Sequence, residues 1–114
     1  MIQHNVPVTF LTTDDAPYTE RASIRQSDTE MVIDIASPGP SERRYLVRGR
    51  RVNDFYAGRD EMDEAEPRDV VARWSQLGDV WVGWWLEDGV EFLFSFRLPK
   101  EPSGSGRSKG RKIK

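Results

Sequence analysis

The residues best equipped for chemistry in this chain are cationic, and they are grouped. Arg43, Arg44, Arg48, Arg50 and Arg51 crowd one short segment that also carries Tyr45, Phe55 and Tyr56. Guanidinium groups interleaved with aromatic rings on a sheet can bind single-stranded nucleic acid, by stacking on the bases and contacting the phosphates. If this strand runs unbroken, Arg44 and Arg48 share a face and are placed to clamp one anion. The plainer alternative is that these arginines neutralise Asp54 and the acidic stretch that follows, an exposed arrangement of low energetic value.

A second cationic group ends the sequence. From Pro99 onward Lys100, Arg107, Lys109, Arg111, Lys112 and Lys114 stand against Glu101 alone, a charge of +5. The preceding 98 residues hold eleven basic and eighteen acidic residues, a charge of −7, and all four lysines lie in the tail. A flexible basic arm gains phosphate contacts through counterion release, so its affinity falls as salt rises. The pattern therefore leads to an expected anionic partner, RNA or a ribonucleoprotein, engaged by the tail and by the arginine-rich strand. The competing account of the tail is a solubilising terminus without a partner.

Other chemistries find less support. With no Cys there are no disulfides, thiolate metal sites or Cys nucleophiles. His4 is the one histidine, which excludes multi-histidine metal sites. Asp60, Glu61, Asp63, Glu64, Glu66 and Asp69 cluster between Arg59 and Asp69, but not at the spacing of a calcium loop. That stretch reads as a solvated acidic loop. No nucleophile–base pair and no phosphate-cradling glycine loop is evident, so an enzyme is the least supported class, and no cofactor or metal is expected.

Positioning these groups falls to strands. The stretch Val70 to Leu98 contains all four Trp and three of the five Phe, arranged as three alternating runs separated by two reversals. Asp88-Gly89 between two such runs is a strong hairpin signal, because a type I′ turn needs positive φ at both central residues. Taken as a two-residue loop, it sets Glu87 opposite Val90, Trp85 opposite Phe92, Gly83 opposite Phe94 and Trp81 opposite Phe96. Reading Gln76 to Asp79 as a four-residue loop sets Trp74 opposite Trp81, Ala72 opposite Gly83 and Val70 opposite Trp85. Period-two alternation then gathers Val70, Ala72, Trp74, Trp81, Gly83, Trp85, Phe92, Phe94 and Phe96 on one inner face. Gly83 within a strand, beside Ala72, suggests a coiled sheet, which favours a closed or half-closed barrel over a flat sandwich.

The reverse of this meander carries Val71, Val82, Trp84, Leu86 and Leu93 among Arg73, Glu91 and Arg97. Such a surface is too apolar to leave fully in water, so another segment of the chain, a partner or a ligand is expected to cover it. Val82, Trp84, Leu86 and Leu93 are therefore a candidate partner interface, for another protein or for a second copy of this chain. A small apolar ligand inside the aromatic barrel is a further alternative.

Upstream, residues 6–12 read as a first strand, with Val8 and Phe10 or Val6 and Leu11 turned inward. Residues 21–26 and 30–36 read as a hairpin, residues 37–41 as a break, and residues 43–49 and 51–58 as two short strands around Gly49 or one long bent strand. About seven to eight short strands at hairpin spacing predict an all-β fold, a small antiparallel barrel or strongly coiled sandwich over residues 1–98. Residues 99–114 are expected to form a disordered basic tail. The first residues lack the basic and long apolar regions of a signal peptide and no run is long enough for a membrane span, so the expected location is cytoplasmic.

Overall fold

Alternation of apolar and polar residues, sustained over strand after strand, produces a sheet that closes on itself. The computed structural model describes residues 1–13, 16–36, 44–61 and 69–98. It contains β1 (Ile2–Leu11), β2 (Tyr18–Gln26), β3 (Glu30–Ala36), β4 (Arg44–Val52), β5 (Phe55–Asp60), β6 (Val70–Leu77), β7 (Val80–Glu87) and β8 (Val90–Phe96). Each strand pairs antiparallel with its sequence neighbours, and β8 returns to β1 through Val8–Phe96 and Leu11–Leu93, closing an eight-stranded barrel. The fold is all-β, as the sequence predicts.

Among the described residues no polar or charged side chain is fully buried, and the inward positions along the middle of the barrel are apolar. Val6, Val8 and Phe10 of β1, Ala22 and Ile24 of β2, Met31, Ile33 and Ile35 of β3 and Val47 of β4 join Tyr56 and the aromatic layer of β6 to β8 in one buried cluster. The rings pack mainly edge to face or offset: Phe10 and Trp85 have centroids 5.1 Å apart, Trp85 and Phe94 5.6 Å, and Trp74 and Phe94 6.0 Å. Charged side chains such as Arg25, Arg50 and Arg59 project outward. This apolar-in, charged-out pattern is the reverse of that in a barrel facing lipid.

Trp74 is one of three indoles buried in the barrel, and two glycines make room for it. Gly83 is its cross-strand partner. Gly49 lies two strands away on β4, where an added Cβ would sit 2.7 Å from Trp74 Cζ2. The indole Nε1 donates to the Met31 sulfur at 3.1 Å, and Met31 is itself the cross-strand partner of Gly49. Gly49 thus marks a close approach of side chain to backbone. It is neither a chain reversal nor a bend between two strands.

Turn chemistry explains most of the register. Asp88 and Gly89 both have positive φ, 50° and 87°, and Glu87 pairs with Val90 as the Asp-Gly signal predicts. The β6–β7 connection differs from the expected four-residue loop. Leu77 pairs with Val80, leaving Gly78-Asp79 as a two-residue turn with Gly78 at φ 65°, the first-position glycine of a II′ turn. The pairing therefore slips by two residues, to Trp74–Gly83, Ala72–Trp85 and Val70–Glu87. A slip of two preserves the face of every side chain, so the inner set stands and only its neighbours change.

Other boundaries are corrected as well. The β4–β5 reversal falls at Asn53-Asp54, with Asn53 at φ 55°, so residues 44–52 form one continuous strand. Arg59 and Asp60 belong to β5 and not to the acidic loop; Asp60 Oδ1 accepts the Leu46 N–H at 2.9 Å and holds the end of the ladder. β1 starts at Ile2, reaching past a bulge between Gln3 and Val6 where Asn5 has φ 60°. Leu11 points outward and is 45% exposed, while Val6, Val8 and Phe10 face in. β2 begins at Tyr18, ahead of the expected residue 21. The break at 37–41, the acidic residues 62–68 and the tail 99–114 lie outside the described residues.

Candidate functional site

The arginine strand is β4, and its outward positions are Arg44, Leu46, Arg48 and Arg50. Arg44 and Arg48 share a face, but each already holds carboxylates. The Arg44 guanidinium lies 3.2 Å from Asp34 of β3. Arg48 Nη1 lies 2.9 Å from Glu30, and its Nε lies 3.0 Å from Glu61. The hydrogen bond to Glu61, then the charges of Glu61 and Glu30, raise the Arg48 pKa above its ordinary value. Arg48 is committed to Glu30 of β3 and to Glu61 directly after β5.

Arg51 donates from Nε to the Asn53 carbonyl at 3.3 Å, near the turn. Arg50 is exposed, and among the described residues no carboxylate lies within ion-pair distance of Arg25, Arg50 or Arg59. Arg73 lies over the Phe55 ring, its guanidinium carbon 5.7 Å from the centroid. Arg43, Arg107, Lys109, Arg111, Lys112 and Lys114 lie outside the described residues. His4 is exposed, with Nδ1 3.1 Å from the Ser23 hydroxyl.

The candidate interface residues Val82, Trp84, Leu86 and Leu93 lie together on the outer wall. Cross-strand pairing orders them into rows: Ala57, Arg73, Trp84, Leu93 and Leu11 in one, Phe55, Ser75, Val82 and Ser95 toward the β6–β7 turn, and Arg59, Val71, Leu86 and Glu91 toward the β7–β8 turn. Barrel closure supplies Leu11, which extends the patch onto β1. Leu93 is 58% exposed and Leu11 45%, side by side across the β1–β8 seam, so the exposed apolar surface is contiguous.

Between these rows the small side chains leave a groove of about 710 Å³, lined by Phe55, Arg73, Ser75, Val82, Trp84, Leu93, Ser95 and Leu11 among others. Trp84 donates its Nε1–H to Glu91 Oε2 at 2.8 Å, which fixes the ring beside Leu93. The face is therefore apolar at its centre, cationic along β5 and β6, and acidic at Glu91. Sequence reasoning placed Val82, Trp84, Leu86 and Leu93 correctly on one wall, but did not include Leu11 or Phe55. Closure of β1 on β8 and the turn at Asn53 bring those two in, and neither has a local signal.

At the mouth near the β7–β8 turn, the Tyr45 hydroxyl donates to Glu87 Oε2 at 2.8 Å and Trp85 Nε1 donates to Glu87 Oε1 at 3.1 Å. This half-buried carboxylate gives the polar ends of two core rings a partner, as buried hydroxyl and indole groups require. Among the described residues no group of three potential ligands is arranged to hold a metal ion. No described helix is long and apolar enough to cross a membrane. Compared with known proteins, the chain matches no known family, no curated protein and no solved structure.

Proposed function

We propose that this protein is a non-enzymatic binding module and that its docking surface is the outer wall formed by β5 to β8 and β1. One observation carries the reading: a contiguous apolar groove bounded by Trp84, Leu93 and Leu11, on a wall where alternation would ordinarily place polar side chains. Burying a Leu and the exposed part of a Trp against a partner releases apolar surface at roughly 25 cal/mol per Å². The interior offers less to a ligand, because Trp74, Trp85 and Phe94 are fully buried and pack against their neighbours.

The test uses a photo-crosslinking side chain at position 93, with position 25 on the outer face of β2, outside the proposed wall, as reference. Adducts formed at 93 and absent at 25 support the reading; equal labelling at both sites, or none, refutes it.

A second reading rests on a separate observation, the cations that no described carboxylate occupies. Arg50, Arg59 and Arg73 border the same wall beside Phe55, so a single-stranded nucleic acid would find phosphate contacts and a ring together. The basic tail would add to these contacts. Filter binding of single-stranded RNA over a salt series tests it. A steep salt dependence, reduced when Arg50 and Arg59 are changed to Ala, supports the reading; weak, salt-independent binding overturns it.

A further inference from the structure

Building on the docking surface above, we infer that its occupant is a second copy of this chain, placed by a two-fold axis that sets Arg73 against the partner's Glu91. The charge pattern of the wall points to this occupant. Arg73 on β6 and Glu91 on β8 flank the apolar centre on opposite sides, so the face is complementary to itself.

The register allows the axis to be located. Arg73 pairs with Trp84 and Trp84 with Leu93, while Glu91 pairs with Leu86 one outward position further along β7. With strands about 4.8 Å apart and a rise of about 3.4 Å per residue, Arg73 and Glu91 are separated by roughly 10 Å across the sheet and 7 Å along it. Their midpoint falls on β7 between Trp84 and Leu86. An axis in the interface through that point, perpendicular to the Arg73–Glu91 vector, exchanges the two charges. The same operation lays Val71 near the partner's Leu86. It also brings Leu93 over the partner's Trp84, in the apolar centre of the wall.

Two features are thus satisfied by one operation: the exposed Leu93 meets the partner's apolar centre, and opposite charges meet at the two borders. A two-fold interface is isologous, so every contact is made twice. The convex wall limits the area. Five strands and some six residues of their length present roughly 24 by 20 Å, less than the ~800 Å² per partner of a standard interface, so the dimer is expected to be in micromolar exchange with monomer.

Sedimentation equilibrium of the full chain, from micromolar to near-millimolar protein, measures this directly. Wild type is expected to dimerise, Arg73→Glu and Glu91→Arg each to weaken dimerisation about tenfold or more, and the double variant to recover most of the loss, as paired charges across an interface do. Leu93→Asp should give monomer with an unchanged circular dichroism spectrum, since a 58% exposed side chain contributes little to the core. Monomeric wild type that still forms heterologous adducts at position 93 overturns the dimer and leaves the docking surface standing. Monomeric wild type with no adduct there removes both. A dimer indifferent to Leu93→Asp and to the charge exchange overturns the proposed geometry.

Discussion

Replacing Gly49 by Ala tests the packing account of the barrel most directly. The new Cβ would lie 2.7 Å from Trp74 Cζ2 and 3.2 Å from Tyr56 Cβ. Gly49 is not among the glycines with positive φ, so the backbone accepts alanine and only space is at issue. Trp74 has little freedom to move aside. It is held by the Met31 sulfur, by the Tyr56 ring stacked 6.0 Å away and by the edge of Phe94. Overpacking a rigid core costs about 1–3 kcal/mol. Removing a glycine from the unfolded ensemble returns about 0.4–1 kcal/mol. The net expectation is a loss of roughly 1–2 kcal/mol, or a fall of about 0.5–1 M in the urea midpoint.

Urea unfolding followed by circular dichroism and Trp fluorescence measures the effect. The control is Trp74→Phe, which removes the benzo ring that meets Gly49, though the change carries its own cavity cost. In that background Gly49→Ala should be neutral or stabilising. If Gly49→Ala stabilises the wild type, or costs as much with Phe as with Trp at position 74, the close-approach explanation is wrong.

Three further outcomes are expected. Gly89→Ala meets no neighbouring atom but forces a side chain to φ 87°, so it should cost about 1–2 kcal/mol in chemical denaturation, with the spectrum of the native state unchanged. Arg48→Gln removes bridges to Glu30 and Glu61, and the resulting drop in Tm should be small and should narrow in high salt, which a salt series of melts will show. Truncation after Leu98 should leave the melting transition cooperative while weakening RNA binding and flattening its salt dependence; binding unaltered by truncation would assign it to the barrel wall alone.

Much of the fold is legible locally, and the reasons are physical. Alternation over Val80–Glu87 and Val90–Phe96 assigns each side chain to a wall, and Asp88-Gly89 prefers positive φ whatever surrounds it, so that hairpin follows from short-range sterics. The same reasoning names Val82, Trp84, Leu86 and Leu93 as one outward apolar set. It falters where a shift leaves the pattern unchanged. A two-residue slip between β6 and β7 keeps every face, so periodicity could not choose between two-residue and four-residue loops, and the left-handed Gly78 does.

Long-range relations belong to tertiary structure alone. Gly49 resembles a strand break in sequence because its reason for being small, the indole of Trp74, arrives from a strand two removed. Arg44 and Arg48 look available for an anion until β3 and Glu61 bring carboxylates to them. Leu11 joins the outer apolar wall because β1 closes on β8, some eighty residues away in the chain. The alternation of side chains makes a sheet with one greasy and one charged face a matter of sequence. Which residues meet across the bore and around the wall depends on register and closure, and only the folded barrel decides those.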